Sequence, residues 1–131
     1  DISEKMLEQA RLKAEQQEIK NIQFLEQDLL KNPLEQEFDL IVVCRVLHHM
    51  PDLDVALSLF HQHLRENGQL LLADFTKTEA NHHGFELVEL ENKLAQFGFS
   101  SVHSQILYSA EDLFQGNYSE LFLTVAQKSL A

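Results

Sequence analysis

Apolar residues recur along this chain in two rhythms. Over residues 4–17, Met6, Leu7, Ala10 and Ala14 return at helical spacing among Glu, Gln and Lys, which predicts an amphipathic helix. Ser3 is placed to cap it and Glu4 to favour its N-terminus. Residues 22–28 carry Ile22 and Phe24 on alternate positions, the pattern of a short strand ending at Asp28, before a polar connection with Pro33. Residues 38–44, FDLIVVC, are apolar in a near-continuous run rather than in alternation, the signature of a strand buried on both faces by flanking helices.

Pro51 stops that strand, and Asp52 or Asp54 opens a helix with Val55, Ala56, Leu59, Phe60 and Leu64 on its buried face, ending at Gly68. Residues 69–75, QLLLADF, read as a second strand buried on both faces. A polar loop through His82, His83 and Gly84 leads to a helix carrying Val88, Leu90, Leu94 and Phe97, closed by Gly98 in a left-handed cap. Residues 101–108 and 120–127 form the last two strands, joined across Gly116 and Asn117 by a connection too short for a helical crossover. The class is therefore α/β, mostly parallel, with an antiparallel final strand.

Composition narrows the partners. The 131 residues, 44% of them apolar, suit one domain. Ten basic against twenty-one acidic residues give a formal charge of −11, which repels phosphate backbones and argues against nucleic acid. The longest apolar run, residues 40–44, is far short of the ~20 residues of a membrane span, so no membrane partner is expected. A lone cysteine, Cys44, excludes an internal disulfide and suggests a reducing, cytoplasmic compartment. Cys44 has no recognisable base beside it and reads as an inert small apolar residue. Seven histidines invite a metal site, but no HExxH or CxxC spacing is present, and none is expected. Gly68, Gly84, Gly98 and Gly116 stand far apart, so there is no glycine-rich phosphate loop.

Ligands of open parallel sheets sit beyond the carboxyl ends of the strands. Asp28, residues 44–52 and residues 74–84 fall at such ends. His48 and His49 therefore lie on the binding edge, either as solvated loop residues or as groups facing a ligand.

The segments DISEKMLEQAR, QDLL, FDLIVVCRVLHHMPD and LRENGQLLLADF, in this order and spacing, resemble the class I S-adenosylmethionine-dependent methyltransferases of small-molecule type. HHGFELVELENKLAQFGF resembles the stretch that, in a subset of them, opens the helix before the last two strands. The resemblance implies a Rossmann-like methyltransferase sheet lacking its first two strands, residues 1–131 being the C-terminal portion of a single domain. It implies S-adenosylmethionine as cofactor and a small-molecule methyl acceptor. On it, Asp1 matches the acid that accepts both ribose hydroxyls, Ile2 and Met6 pack on adenine, and Asp28 receives the adenine amino group beside the Leu29 backbone. Cys44 lies where main chain meets the methionine moiety, and His49 and His48 face the acceptor as catalytic candidates. The residues also allow plainer roles: Asp1 a helix-flanking acid, Met6 core, Asp28 a turn former, Asp74 a strand-end acid. His61, His63 and His103 read as surface or sheet packing.

The sequence departs from the family pattern in having no glycine-rich turn to support the cofactor's amino-acid end. These residues alone are thus expected to bind S-adenosylmethionine weakly, with a second copy or a missing N-terminal segment completing the sheet. A non-catalytic binding or assembly module retaining part of the fold is the competing reading, and a histidine-rich metal-binding domain trails both.

Overall fold

The computed structural model describes residues 3–78, 84–114 and 117–129 and divides into two compact units, Asp1–Leu34 and Glu35–Ala131. In the first unit, helix α1 spans Glu4–Gln16. Its start is fixed as the sequence predicts: the Ser3 hydroxyl accepts the Met6 backbone N–H at 3.3 Å. Leu7 and Ala14 are buried, whereas Met6 is exposed.

The strand expected over residues 22–28 does not form. A strand satisfies its backbone only through a neighbour, and the described residues of this unit contain no second strand to pair with it. The segment instead closes on a turn at Asp28, whose carbonyl accepts the N–H groups of Lys31 at 3.1 Å and Asn32 at 2.8 Å. Its carboxylate takes the Leu30 N–H at 3.0 Å. Arg11 lies over the Phe24 ring, 5.8 Å from its centroid.

The second unit runs β1 (Phe38–Cys44), a one-turn 3-10 helix (Leu47–His49), α2 (Leu53–His63), β2 (Leu64–Phe75), α3 (Leu87–Gln96), β3 (Phe99–Phe114) and β4 (Asn117–Lys128). The strands form one sheet in the order β1-β2-β4-β3. β1 and β2 are parallel, with Cys44 opposite Ala73, while β4 runs antiparallel to both β2 and β3. Apolar alternation on β2 and β4 aims Leu70, Leu72, Phe122 and Ala126 at Ala56, Leu57 and Phe60 of α2 and Leu90 and Leu94 of α3, a single core on one face of the sheet.

Four expectations need correction. β1 is not buried on both faces: Val43 belongs to the core, but Leu40 is 49% and Val42 59% exposed, and Cys44 is exposed too. Both described helices of this unit contribute to the same core, and β1 is a sheet edge paired only with β2 among the described residues. β2 likewise buries one face fully and the other only in part. On α2, Leu57 rather than Val55 is buried, and on α3 Val88 is exposed. Finally, α2 stops at His63, and Leu64 already has extended backbone. Gly68 thus serves no helix cap. A Cβ there would lie 2.8 Å from the Arg65 carbonyl oxygen and 3.2 Å from that of Asp39, so glycine lets the irregular start of β2 approach β1. Gly98 does take the left-handed conformation expected of it, with φ +94°.

Candidate active site

Parallel register brings the carboxyl ends of β1 and β2 side by side, and the residues that follow Cys44 meet those that follow Ala73. The Arg45 N–H extends the ladder by donating to the Ala73 carbonyl at 2.7 Å. Leu47, 2% exposed, then anchors a single 3-10 turn, closed by His49 N–H to the Val46 carbonyl at 2.9 Å and Met50 N–H to the Leu47 carbonyl at 3.1 Å. α2 begins immediately afterwards. Of the two candidate caps it is Asp52 that accepts, taking the N–H groups of Asp54 at 3.0 Å and Val55 at 3.3 Å.

That anchored turn presents His48 to Asp74. The carboxylate of Asp74, 1% exposed, accepts the His48 backbone N–H at 3.1 Å and the His48 Nδ1–H at 2.8 and 3.0 Å from its two oxygens. It also accepts the Phe75 N–H at 2.8 Å. A buried carboxylate is costly unless its lone pairs are satisfied, and here donors from the turn and from β2 satisfy it. The arrangement places the Nδ1 proton toward Asp74 and fixes the ring's orientation. The His49 ring lies 4.0 Å from that of His48, centroid to centroid, tilted by 45°. A histidine held in one tautomer by a buried acid, at the edge where parallel sheets bind ligands, has the geometry of a general base.

Sequence reasoning locates both histidines and reads Asp74 as a strand-end acid, which it is, without its pairing to His48. The available signal is the polar residue breaking the apolar run LLLADF, at the level of the histidines once β1 and β2 are taken as parallel neighbours. Of the other site candidates, Cys44 lies at the end of β1 beside this pair. Met6, Asp28 and Leu29 belong to the first unit, where Met6 and Leu29 are exposed and Asp28 forms the turn described above. Asp1, Ile2, His82 and His83 lie outside the described residues.

The amino ends of the strands hold a different histidine. His61 packs edge-on against Phe99, with ring centroids 5.3 Å apart, and lines a cavity of about 610 Å³ with Glu37, Glu66, Gly98, Lys128 and Ser129. Burial lowers its pKa from 6.5, Lys128 lowers it further, and a hydrogen bond to the Gly98 backbone opposes both. Among the described residues no cluster of three or more His, Cys, Asp or Glu is arranged to hold a metal ion. No helix among them is long and apolar enough to cross a membrane.

Residues 1–124 match the family profile described as a methyltransferase domain. A search of curated proteins returned no match. Among solved structures, the CurJ carbon methyltransferase superposes with a TM-score of 0.80 at 21% identity, covering 99% of this chain and 40% of that one. A protein from Bacillus halodurans C-125, whose assignment as a methyltransferase is itself provisional, gives 0.79 at 17% identity, covering 99% and 81%. The N-methyltransferase NodS from Bradyrhizobium japonicum WM9, bound to S-adenosyl-L-homocysteine, gives 0.74 at 16% identity, covering 98% and 64%.

Proposed function

The chain belongs to the methyltransferase-domain family, and from that premise we propose that it serves S-adenosylmethionine-dependent methyl transfer to a small-molecule acceptor, with His48 as the base. The observation that carries this reading is the His48–Asp74 pair at the ends of two neighbouring parallel strands. S-adenosylmethionine, when bound, supplies a methyl group already activated on a sulfonium, so the protein's task is positioning. An acceptor hydroxyl, amine or acidic C–H must lose its proton as it takes the methyl. His48 accepts that proton at Nε2 while Asp74 keeps Nδ1–H in place and stabilises the imidazolium. His49, its ring tilted against that of His48, borders the acceptor.

The residues present suit the cofactor in kind. Met6 and Leu29 expose apolar surface fit for a flat ring, the Asp28 carboxylate accepts more than one donor, and Cys44 offers strand-end main chain. Asp1 and Ile2 take the roles that the family resemblance gives them. The glycines stand too far apart to form a carboxylate-binding turn, so we expect these 131 residues by themselves to hold S-adenosylmethionine weakly. The reducing compartment suggested by Cys44 makes a cytoplasmic site of action part of the same proposal.

The test supplies the protein with S-adenosylmethionine labelled in its methyl group and an extract of small metabolites, and follows the label by mass spectrometry. Label should enter a small molecule with wild-type protein and far more slowly with His48→Ala. Transfer at an undiminished rate by His48→Ala would remove the base from the mechanism.

One observation favours a second reading, a non-catalytic assembly module. β1 has an outer edge unpaired among the described residues, and Leu40 and Val42 are exposed on it. Such an edge readily recruits another strand. Sedimentation equilibrium separates the readings: self-association abolished by Val42→Lys, with no methyl transfer, would favour assembly.

A further inference from the structure

The backbone at Arg45 lies in the left-handed region, with φ 57°. Glycine or asparagine occupies that region at low cost, whereas other side chains are uncommon there. The backbone is nevertheless fixed in it by the bond from Arg45 N–H to the Ala73 carbonyl, one residue from Asp74. The guanidinium lies over the Phe75 ring, 5.3 Å from its centroid. Phe75 is 2% exposed and its N–H is tied to the Asp74 carboxylate, so the arginine rests on a buried ring joined through the backbone to the proposed base pair. A guanidinium lying on an aromatic face keeps its N–H edge available for a planar oxyanion.

The ion pairs among the described residues join Asp74 to His48, Asp39 to Arg65, Glu86 to Lys77 and Asp54 to Lys93; none engages Arg45. With twenty-one acidic residues against ten basic ones, an exposed arginine that no carboxylate of the described residues engages is suited to an acid supplied from outside. Asp74 and Phe75 are successive residues of β2 and project to opposite faces of the sheet. An acceptor lying across the strand ends would then meet the base on one side and the guanidinium on the other.

We infer that Arg45 reads an oxyanion, a carboxylate or a phosphate group, on the methyl acceptor, and holds it across the end of β2 from the His48–Asp74 pair. This rests on the acceptor site proposed above. Arg45 is a specificity residue, separate from proton transfer.

The experiment follows the Arg45 guanidinium resonance by NMR while the protein is titrated with benzoate, phenyl phosphate or the neutral benzamide, and measures S-adenosylhomocysteine binding by calorimetry. Benzoate or phenyl phosphate should move the resonance saturably, the tighter of the two identifying the anion, and benzamide should not. Arg45→Gln should weaken the anion by about tenfold, the loss of a charge-assisted bond, with Arg45→Lys intermediate and S-adenosylhomocysteine affinity unchanged in both. Absence of a saturable shift, equal binding of benzamide, or an Arg45→Gln defect confined to S-adenosylhomocysteine would overturn the inference. The His48 imidazole proton resonance, read in the same samples, reports the base pair separately. Its Asp74-bonded signature should persist in Arg45→Gln, so failure at the arginine and failure at the base are told apart.

Discussion

His48 and His61 stand at opposite ends of the same sheet, and their surroundings are electrostatic opposites. At the carboxyl ends, His48 meets a buried carboxylate that takes both its backbone and its ring N–H. At the amino ends, His61 meets an ammonium, Lys128, together with desolvation by its own packing. One imidazole is furnished with a partner for a positive charge, while the other has charge held away from it. A parallel strand pair explains the asymmetry: its carboxyl ends open into the loop and helix start that carry polar side chains. Its amino ends here border a cavity walled by His61 of α2, Gly98 after α3 and Lys128 at the end of β4. The same residue type thus lies against a carboxylate at one end and beside an ammonium at the other.

The comparison is broken most severely at the carboxyl end. Replacing His48 by Ala should lower turnover by roughly 10²–10⁴-fold, the usual contribution of a general base. Asp74→Asn should show a large part of that loss through misorientation of the ring. Stopped assays of S-adenosylhomocysteine release, with thermal unfolding as the control for folding, supply the measurement. His61→Gln should leave turnover near wild type. A comparable loss there would end the distinction between the two histidines.

A smaller effect sharpens the amino end. A Cβ on Gly98 would sit 2.7 Å from His61 Nε2, and the backbone there has φ +94°. Gly98→Ala should therefore cost about 1–3 kcal/mol in urea denaturation, with turnover per folded molecule preserved. Chemical denaturation that leaves the midpoint unmoved would mean that the imidazole yields freely.

The smallest effect is pH dependence. His61 has a folded-state pKa below 6.5, so as pH falls beneath that value the unfolded chain takes up a proton that the folded chain refuses. Stability contributed by a neutral His61 is complete above about 6.5 and declines as the pH drops toward the lowered value. His61→Gln should flatten that part of the stability curve, and a curve left unaltered would mean that this imidazole is not linked to folding. Lys128→Met, which removes one of the two lowering causes, should move the imidazole titration upward when followed by NMR. An unmoved titration would show that burial alone lowers it.

Much of this is legible in the sequence, unevenly. The alternation of strands and helices, the antiparallel final pair, the Ser3 cap and the left-handed Gly98 follow from local patterns, because periodicity and backbone handedness are properties of short segments. The run from Phe38 to Cys44 misleads for a physical reason: continuous apolarity records what a strand is made to face, while burial depends on which neighbours are there to cover it. Residues 22–28 mislead in the same way, since a strand is a relation between two segments. Asp74 is easily undervalued because its significance comes from the segment beside it, 26 residues earlier in the chain at His48.

The position of β4 has a consequence for how the protein is made. β4 follows β3 in the sequence, yet it lies inside the sheet, between β2 and β3. On the ribosome, β3 emerges with no strand to receive it, and the inner edge of β2 stays open until residues 117–128 leave the exit tunnel. Beyond the β1–β2 pair, the sheet of the second unit therefore cannot grow strand by strand as the chain appears. It waits for pairings of long sequence span such as Leu70 with Ala126, the kind that form slowly. A nascent chain stalled shortly before Asn117 exposes apolar strand edges to chaperones or to neighbouring chains. Protein quality control would then feel a frameshift or premature stop within β4 as sharply as damage to β2 itself.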